Sequence, residues 1–394
     1  MEKEIYIVSA VRTAIGRFGG ALKDVPACEL AATAVREAVS RSGAAPDSVG
    51  HVSMGTVIMT EPRDIYMSRI AALEAGLPPD VSAFNVNRLC GSGLQAIVSS
   101  AQVIQAGHCE VAVGAGAESM SRAGYLMQSA RWGARMGDTP MLDLMLHALH
   151  DPFHMIHMGM TAENVAERFG ITRRMMDELA VSSQQRAAAA IREGRFAAQI
   201  VPVAIASRQG SRRFDVDEHV KPDTTLDILS AMKPAFKSDG GTVTAGNSSG
   251  LNDAAAALVL ASGEAVRAQK LTPLGRLAGY AYAGVEPAIM GTGPIPATRK
   301  LLKRLGLKVG DLDVIESNEA FAAQACAVSQ ELGFDPERVN PNGSGISLGH
   351  PVGATGAIIA TKALYELRRI GGRYALATMC IGGGQGIAAV FERV

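Results

Sequence analysis

The chain repeats one order of secondary-structure elements near its two ends, and this repeat limits the folds that it can adopt. Near the start, a helical pattern over Ala34–Ser42 is followed by a glycine and by a strand from His51. Near the end, a helical pattern over Thr298–Leu305 is followed by a glycine and by a strand that runs into Glu316. Strands that alternate with long helices are typical of βαβ units in parallel sheets.

The repeat also aligns the most reactive residues of the chain. A shift of 260 residues places Cys90 on His350 and Gly93 on Gly353, and each pair precedes a helical pattern and then a strand. Generic βαβ segments can resemble one another by chance, but here the elements also follow in the same order. We therefore predict two similar α/β halves that pack together, with the reactive residues near helix starts.

The middle of the chain differs from both ends. From about Ser121 to about Asn247 it is rich in Met, His and Arg and carries several Pro and Gly breaks, with helical patterns over Glu163–Gly170 and Arg173–Glu193. We expect an inserted loop domain that shapes a substrate site. The predicted organisation is an N-terminal half formed by residues 1–120 and 248–272, a loop domain over residues 121–247, and a C-terminal half over residues 273–394.

Composition excludes several classes of protein. The 394 residues are 47% hydrophobic and 19% charged with a formal net charge of zero, which is a globular balance that does not favour nucleic acid as a partner. No apolar stretch approaches membrane-spanning length, and the N-terminus lacks the pattern of a signal peptide. The five cysteines form neither a disulfide framework nor a CxxC metal pattern. We therefore expect reduced thiols and a cytoplasmic location.

Cys90 is the strongest candidate for a nucleophile. It lies in the run Asn87-Arg-Leu-Cys-Gly-Ser-Gly-Leu94, just before a predicted helix, whose N–H groups and positive end favour a thiolate. The flanking Gly91 and Gly93 would let a ligand approach the backbone closely. A buried cysteine is more often a small hydrophobic residue, and we expect that simpler role for Cys28, Cys109 and Cys326.

Two further glycine-rich runs carry a base and a second thiol. In Gly349-His350-Pro351, the imidazole could take the proton of Cys90 and later donate to an oxyanion, although a helix cap would also explain it. Cys380 opens Ile-Gly-Gly-Gly-Gln-Gly386, which is neither a dinucleotide fingerprint nor a P-loop. A second thiol could move a proton, and the N–H of Gly382 could contribute to an oxyanion hole.

Asn318 is a candidate of a different kind. It follows a predicted strand that ends near Glu316, and its side chain could hold a water molecule or a substrate carbonyl. A helix N-cap is the structural alternative. Apart from Asn318, the two thiols of Cys90 and Cys380 and the imidazole of His350, each beside glycines, indicate acyl transfer through a covalent thioester.

A group of histidines presents a metal-binding alternative. Four histidines between residues 147 and 157 are spaced by three, four and three residues, which could place them on one helical face as metal ligands. Pro152 breaks such a helix. We therefore predict no metal site, and expect some of these residues to line a ligand pocket with Met155, Met158 and Met160. The four histidines are His147, His150, His154 and His157.

These motifs resemble those of the thiolases, and the resemblance covers nearly the whole chain. It rests on the segments around Cys90, Asn318, His350 and Cys380, and further on Val11–Gly16, Gly116-Ala-Glu-Ser-Met120, His157-Met-Gly159 and Thr244–Asp253. It implies a duplicated five-layered α-β-α-β-α fold with an inserted loop domain. It also implies reversible Claisen condensation of two acyl-CoA molecules to β-ketoacyl-CoA and CoA by a ping-pong mechanism. The likeness is greatest to bacterial β-ketothiolases, including those that feed polyhydroxyalkanoate synthesis.

The resemblance implies no cofactor, since coenzyme A is itself a substrate or product. It also implies a homo-oligomer, either a dimer or a tetramer made of two dimers, with a protruding loop around residues 131–145 joining the dimers. Acyl chain length and the direction of the reaction are not determined by the sequence. The Met-rich segment over residues 141–160 favours tolerance of acyl groups longer than acetyl.

The resemblance further implies a role for each candidate. Cys90 becomes acylated after activation by His350, and Cys380 moves the proton at C2 of acetyl-CoA. His350 and a water held by Asn318 stabilise the enolate oxygen, while the N–H groups of Cys90 and Gly382 stabilise the acyl oxyanion. The implied substrate-contacting residues are Ser249, His157, Met158, Met290, Ala320, Phe321, Ala245 and Leu149, with Phe236 and Lys221 near the nucleotide end of CoA. Lys221 would bind phosphate as a point charge.

Two other functions remain as alternatives. A decarboxylating ketosynthase would share Cys90 and the fold, but would have two histidines, or His and Asn, in place of the second thiol. A non-catalytic acyl-lipid carrier on the same scaffold would be expected to lose a reactive residue. Cys380 argues against the first, and the joint presence of Cys90, His350 and Cys380 argues against the second.

Overall fold

The structure, a computed structural model, describes residues 3–207 and 210–394, so residues 1, 2, 208 and 209 of the predicted domains lie outside the described residues. The first part of the chain alternates strands and helices, as its sequence predicts. Helix α1 begins well before the predicted Ala34, whereas α3 follows directly after Cys90 as predicted. The elements are β1 (Ile5–Thr13), β2 (Gly16–Arg17), α1 (Ala27–Ser42), β3 (Val49–Gly55), α2 (Met67–Glu74), β4 (Ser82–Val86), α3 (Ser92–Gln105) and β5 (Val111–Ser119).

The middle of the chain consists mainly of short hairpins and four helices. The two predicted helices form, the first of them starting five residues earlier than predicted. The elements are β6 (Tyr125–Leu126), β7 (Leu142–Asp143), α4 (Leu144–Ala148), β8 (His150–Asp151), β9 (Ile156–His157), α5 (Met158–Phe169), α6 (Arg173–Arg192), β10 (Ile200–Val201), β11 (Val203–Ser207), β12 (Gly210–Phe214) and α7 (Leu226–Ser230).

The last part of the chain returns to long strands and helices. Its elements are β13 (Asn252–Ser262), α8 (Gly263–Ala268), β14 (Gly275–Gly284), α9 (Pro294–Leu305), β15 (Val314–Ser317), α10 (Ala322–Leu332), α11 (Gly345–Leu348), α12 (Thr355–Ile370), β16 (Tyr374–Ile381) and β17 (Gln385–Glu392). None of the helices within the described ranges is long and apolar enough to cross a membrane.

The two halves share one strand order, which confirms the duplicated fold. The order is β1-β13-β5-β3-β4 in one half and β14-β17-β16-β15 in the other, and a short antiparallel pairing of β1 with β14 joins them edge to edge. The sheets are mixed rather than parallel as predicted. Strand β13 returns beside the end of β5, with Asp253 opposite Ser119, and can therefore only run antiparallel to it.

Two buried helices separate the sheets. Helices α3 and α12 pack against each other, α3 against β3 and β5, and α12 against β15 and β16, while α1 and α9 cover the outer faces. Helix α12 is buried on nearly all sides, as expected of a central layer. The result is the predicted α-β-α-β-α layering. The starts of α3 and α12 meet at the centre, which brings residues near 90 and 350 together.

The middle segment packs mainly on the C-terminal half. Helices α5 and α6 contact α10, and their shared apolar cluster includes Val165, Met176 and Ala323. The segment therefore forms one wall of the space between the halves. Its exact division from them at residues 121 and 247 remains a prediction.

Candidate active site

Cys90 lies in a strained turn that is held by local hydrogen bonds. Leu89 has a φ of 48°, a left-handed conformation that side chains other than glycine rarely adopt. The N–H of Leu89 donates to Oδ1 of Asn87 at 3.0 Å, and the hydroxyl of Ser92 donates to the Leu89 carbonyl at 2.6 Å. These bonds fix the thiol two residues before the start of α3.

The environment of Cys90 favours the neutral thiol, contrary to the prediction from the helix end alone. Burial raises the pKa of Cys90 to about 11, although hydrogen bonds from the backbone of Gly382 and of Cys90 itself lower it. Removal from bulk water penalises the charged form more than these donors and the helix end favour it. Activation of Cys90 therefore requires a base within the site.

His350 is the candidate for that base, because it lines the same cavity as Cys90. It is buried in the loop between α11 and α12, and its backbone N–H donates to Oδ1 of Asn252 at 2.9 Å. Burial lowers the pKa of the imidazole to about 4, so the ring is neutral near pH 7. Helix α12 is preceded by Ala354 and has no side-chain cap, so His350 is not a helix cap.

Asn318 faces His350 and is likewise no helix cap. Its Nδ2 lies 3.5 Å from Nε2 of His350, and its backbone N–H donates to the Thr378 carbonyl at 3.0 Å. The helix after it begins at Ala322, with Phe321 in the capping position. The buried Oδ1 of Asn318 has no hydrogen-bond partner among the described residues, which leaves it available for water or substrate.

Cys380 lies at the end of β16, beside Cys90. Burial raises its pKa, and the charge of Cys90 raises it further. The two segments are in contact, since a Cβ on Gly91 would lie 2.5 Å from the Ile381 side chain. Strands β16 and β17 are joined by a turn in which Gly383 and Gly384 have φ of 76° and 83°. A Cβ on Gly382 would lie 3.1 Å from the Leu89 side chain, so this turn folds over the Cys90 turn.

A cavity of about 400 Å³ lies over these residues. Asn318 and Cys380 are outside its lining, but Cys380 packs with Met158, Met290 and Ala320, which belong to it. The structure thus brings together most of the residues that the sequence analysis assigned to the site. The predicted residues that line it are Cys90, His350, Gly382, Ser249, His157, Met158, Met290, Ala320, Phe321, Phe236, Ala245 and Leu149.

The structure separates two residues that the resemblance placed together. Phe236 lines the cavity, with its ring stacked on His157 at 4.6 Å and edge-on to Phe321 at 6.2 Å. Lys221 lines a second cavity of about 250 Å³, and Ala245 is part of both linings. Phe236 therefore lines the cavity that holds Cys90, whereas Lys221 lines a neighbouring cavity that shares Ala245 with it.

The histidine group divides between the cavity wall and the surface. His157 lines the cavity and contacts His150 at 5.3 Å between ring centroids, while His154 pairs with Asp151 at 2.8 Å. Within the described part of the chain, no group of three or more His, Cys, Asp or Glu side chains is arranged to hold a metal ion. Met155, expected to line a pocket, is 72% exposed.

One apolar wall of the cavity was missed by the sequence analysis. It packs against Cys90 and derives from three separate segments, each of which reads as ordinary core in the sequence. Its residues are Val57, Ile58, Met120 and Val352.

Comparison with known proteins decides the family. Residues 5–264 match the thiolase N-terminal domain, and residues 271–393 match the thiolase C-terminal domain. The chain belongs to the thiolase family. This thiolase is 61% identical to the β-ketothiolase BktB of Cupriavidus necator over 394 residues, the full length of both chains. It is also 49% identical to an acetyl-CoA acetyltransferase of Escherichia coli K12, again with both chains covered completely.

Solved structures confirm the thiolase fold. The crystal structure of the Bacillus anthracis acetyl-CoA acetyltransferase is similar with a TM-score of 0.97 and 46% identity, over 100% of this chain and 99% of that one. The crystal structure of human mitochondrial 3-ketoacyl-CoA thiolase in complex with CoA is similar with a TM-score of 0.96 and 42% identity, over 100% of this chain and 98% of that one.

Proposed function

We propose that this thiolase is an acyltransferase that catalyses the reversible Claisen condensation of two acyl-CoA molecules, and the reverse thiolysis, through an acyl-Cys90 thioester. The observation that carries the proposal is the convergence of Cys90, His350 and Gly382 on one cavity, with Cys380 packed against residues that line it. These groups come from separate glycine-rich turns and together provide a nucleophile, two proton carriers and an oxyanion hole.

The first half-reaction forms the thioester. Nε2 of His350 takes the proton of Cys90 while Sγ attacks the thioester carbonyl of the first acyl-CoA. The N–H groups of Cys90 and Gly382, which already lower the pKa of the Cys90 thiol, would donate to the developing oxyanion. The C–S bond of the substrate then breaks, and Cys380 donates its proton to the departing CoA thiolate.

The second half-reaction forms the carbon–carbon bond. The Cys380 thiolate removes a proton from C2 of acetyl-CoA, for which its raised pKa suits it as a strong base. The enolate oxygen would be held by Nε2–H of His350 and by a water on Asn318. The carbanion attacks the acyl carbon, and the Cys90 sulfur leaves and recovers its proton from His350. All protons therefore return to their starting groups.

The shape of the cavity supports acyl groups of more than two carbons. Its wall beside Cys90 is formed by Ile58, Met120 and Val352, which offer only apolar surface. Methionine side chains adapt to ligands of different length. We therefore propose β-ketoacyl-CoAs of four to six carbons as substrates, with coenzyme A as a substrate and no cofactor.

Thiolysis tests the proposed function directly. Purified protein is mixed with CoA and β-ketoacyl-CoAs of four, five and six carbons, and the loss of substrate enolate absorbance is followed. Turnover of all three supports a broad β-ketothiolase, and turnover of acetoacetyl-CoA alone supports a short-chain acetyltransferase. No turnover with folded, reduced protein would contradict the proposal and favour a ketosynthase or a carrier.

We also propose that the protein is a homodimer or a tetramer. Edge strand β4 leaves Phe84 39% exposed, and the neighbouring Ile65 and Tyr66 are 64% and 65% exposed. Such an apolar edge is a suitable surface for a second copy. The predicted dimer-joining loop exposes Trp132 and Met136. Size-exclusion chromatography with light scattering checks the proposal, which a monomer would contradict.

A cytoplasmic location also remains a proposal. It is supported by the five cysteines, which are all unpaired in the described residues, and by the need for a free thiol at Cys90.

A further inference from the structure

Glu118 is a buried carboxyl group to which the reaction assigns no step. It is the penultimate residue of β5, within the run Gly116-Ala-Glu-Ser-Met120, and is completely buried. None of the basic side chains in the described ranges forms an ion pair with it. A buried carboxylate without a cation is unfavourable unless hydrogen-bond donors surround it.

Three backbone donors from two distant loops surround this carboxylate. Oε2 accepts from the N–H of Gly353 at 2.8 Å and from that of Val57 at 3.1 Å, while Oε1 accepts from the N–H of Ile58 at 3.1 Å. Val57 and Ile58 form the apolar wall of the cavity, and Gly353 follows His350 by three residues. One side chain therefore links the acyl wall of the N-terminal half to the base loop of the C-terminal half.

The backbones at this junction are too close for any side chain. A Cβ on Gly116 would lie 2.4 Å from the Gly353 carbonyl oxygen, and one on Gly55 would lie 2.8 Å from it. A Cβ on Gly353 would lie 2.6 Å from Oε2 of Glu118. Because no free volume remains there, a displacement of the carboxylate must move the base loop.

We propose that Glu118 is a positioning residue, whose carboxyl oxygens hold the loop of His350 in a fixed position relative to the Cys90 half of the site. This inference rests on the proposed roles of Cys90 and His350. Burial raises the pKa of Glu118 to about 8 even though the three donors lower it. An ionisable side chain that stays buried despite this cost in free energy is typical of functional sites.

The test compares E118Q and E118D with D313N. Gln keeps the shape but offers an NH₂ group to one of the N–H donors, and Asp withdraws the oxygens by about one C–C bond, roughly 1.5 Å. D313N is a matched control, because Asp313 also accepts two backbone N–H bonds, from Arg373 and Tyr374. That contact lies at the end of β16 remote from Cys380.

Three quantities are measured for each variant: the rate of Cys90 alkylation by iodoacetamide, kcat and KM for thiolysis, and the midpoint of thermal unfolding. We expect E118Q and E118D to lose about a hundredfold in kcat, the loss expected when a reacting group moves by about 1 Å. Alkylation should slow as well, since His350 no longer assists the thiol. D313N should match the wild type in alkylation and kcat.

Several outcomes would overturn the proposal. A lower unfolding midpoint with unchanged alkylation and kcat would show that Glu118 only stabilises the fold. If neither E118Q nor E118D folds while D313N does, Glu118 would likewise be a residue that only stabilises the fold. If the wild type itself turns over no β-ketoacyl-CoA, the proposed function is wrong, but the alkylation comparison still decides the role of Glu118.

Discussion

Nδ1 of His350 lies 2.7 Å from Oγ1 of Thr355, at the first residue of the central helix α12. The Thr355 hydroxyl donates its proton to the Pro351 carbonyl at 2.9 Å and therefore accepts from Nδ1–H. This pairing leaves Nε2, the atom that faces Asn318, without a proton and able to act as the base.

The pairing predicts the effect of removing the Thr355 hydroxyl. T355V keeps the shape of the side chain but lets the imidazole change its tautomer, and we expect kcat to fall roughly a hundredfold, within the range for general acid–base catalysis. KM should change little. T355S, which retains the hydroxyl, should stay near the wild type, and equal rates for T355V and wild type would refute the assignment.

Removal of the Asn318 side chain should impair the enolate step. We expect N318A to lose roughly a hundred- to a thousandfold in kcat, as is typical for the loss of one oxyanion donor. The fold should persist, because the backbone bond from Asn318 to Thr378 is unaffected. Circular dichroism and steady-state condensation rates check both points, and a rate close to wild type would remove Asn318 from the mechanism.

Replacement of the nucleophile should abolish the covalent intermediate. C90S is nearly isosteric and should fold, but it should form no acyl-enzyme after incubation with acetyl-CoA. Intact-protein mass spectrometry detects the added acetyl group on wild type. C109S is the matched control, because it removes a thiol that lies outside the cavity lining and retains Cys90, so it should still become acylated. An adduct on C90S would show that Cys90 is not the sole nucleophile.

The buried imidazole makes stability dependent on pH. Because burial lowers the pKa of His350 from 6.5 to about 4, the unfolded chain binds a proton before the folded chain does. Stability from this group is therefore present above pH 6.5 and is lost as pH falls toward 4, by roughly 3 kcal/mol in total.

Thermal unfolding between pH 7 and pH 4 measures this loss. H350N lacks the titrating group and should be less sensitive to acid than the wild type over that range. H108N, which removes an exposed histidine, should behave as the wild type. An H350N variant with the full acid sensitivity of the wild type would contradict the burial of a neutral imidazole.

Much of the fold was predictable because its signals are local. The helices that follow Cys90 and His350, α3 and α12, were predictable from apolar periodicity and from the glycines near their ends. The internal repeat, which aligns Cys90 with His350, correctly placed these two residues shortly before corresponding helices. The start of α1 was missed because Pro26, the residue before it, provides no side-chain cap, and the antiparallel course of β13 depends on where a long insertion returns.

The sequence by itself determined which residues are candidates for the chemistry, since thiols and an imidazole beside glycines are recognisable in any order along a chain. Only the tertiary structure decided how those residues behave. The helix end near Cys90 predicted a thiolate, yet burial between the two halves raises its pKa instead. The roles of Thr355 and Glu118 were likewise invisible, because desolvation and contacts between distant segments arise only when the chain is packed.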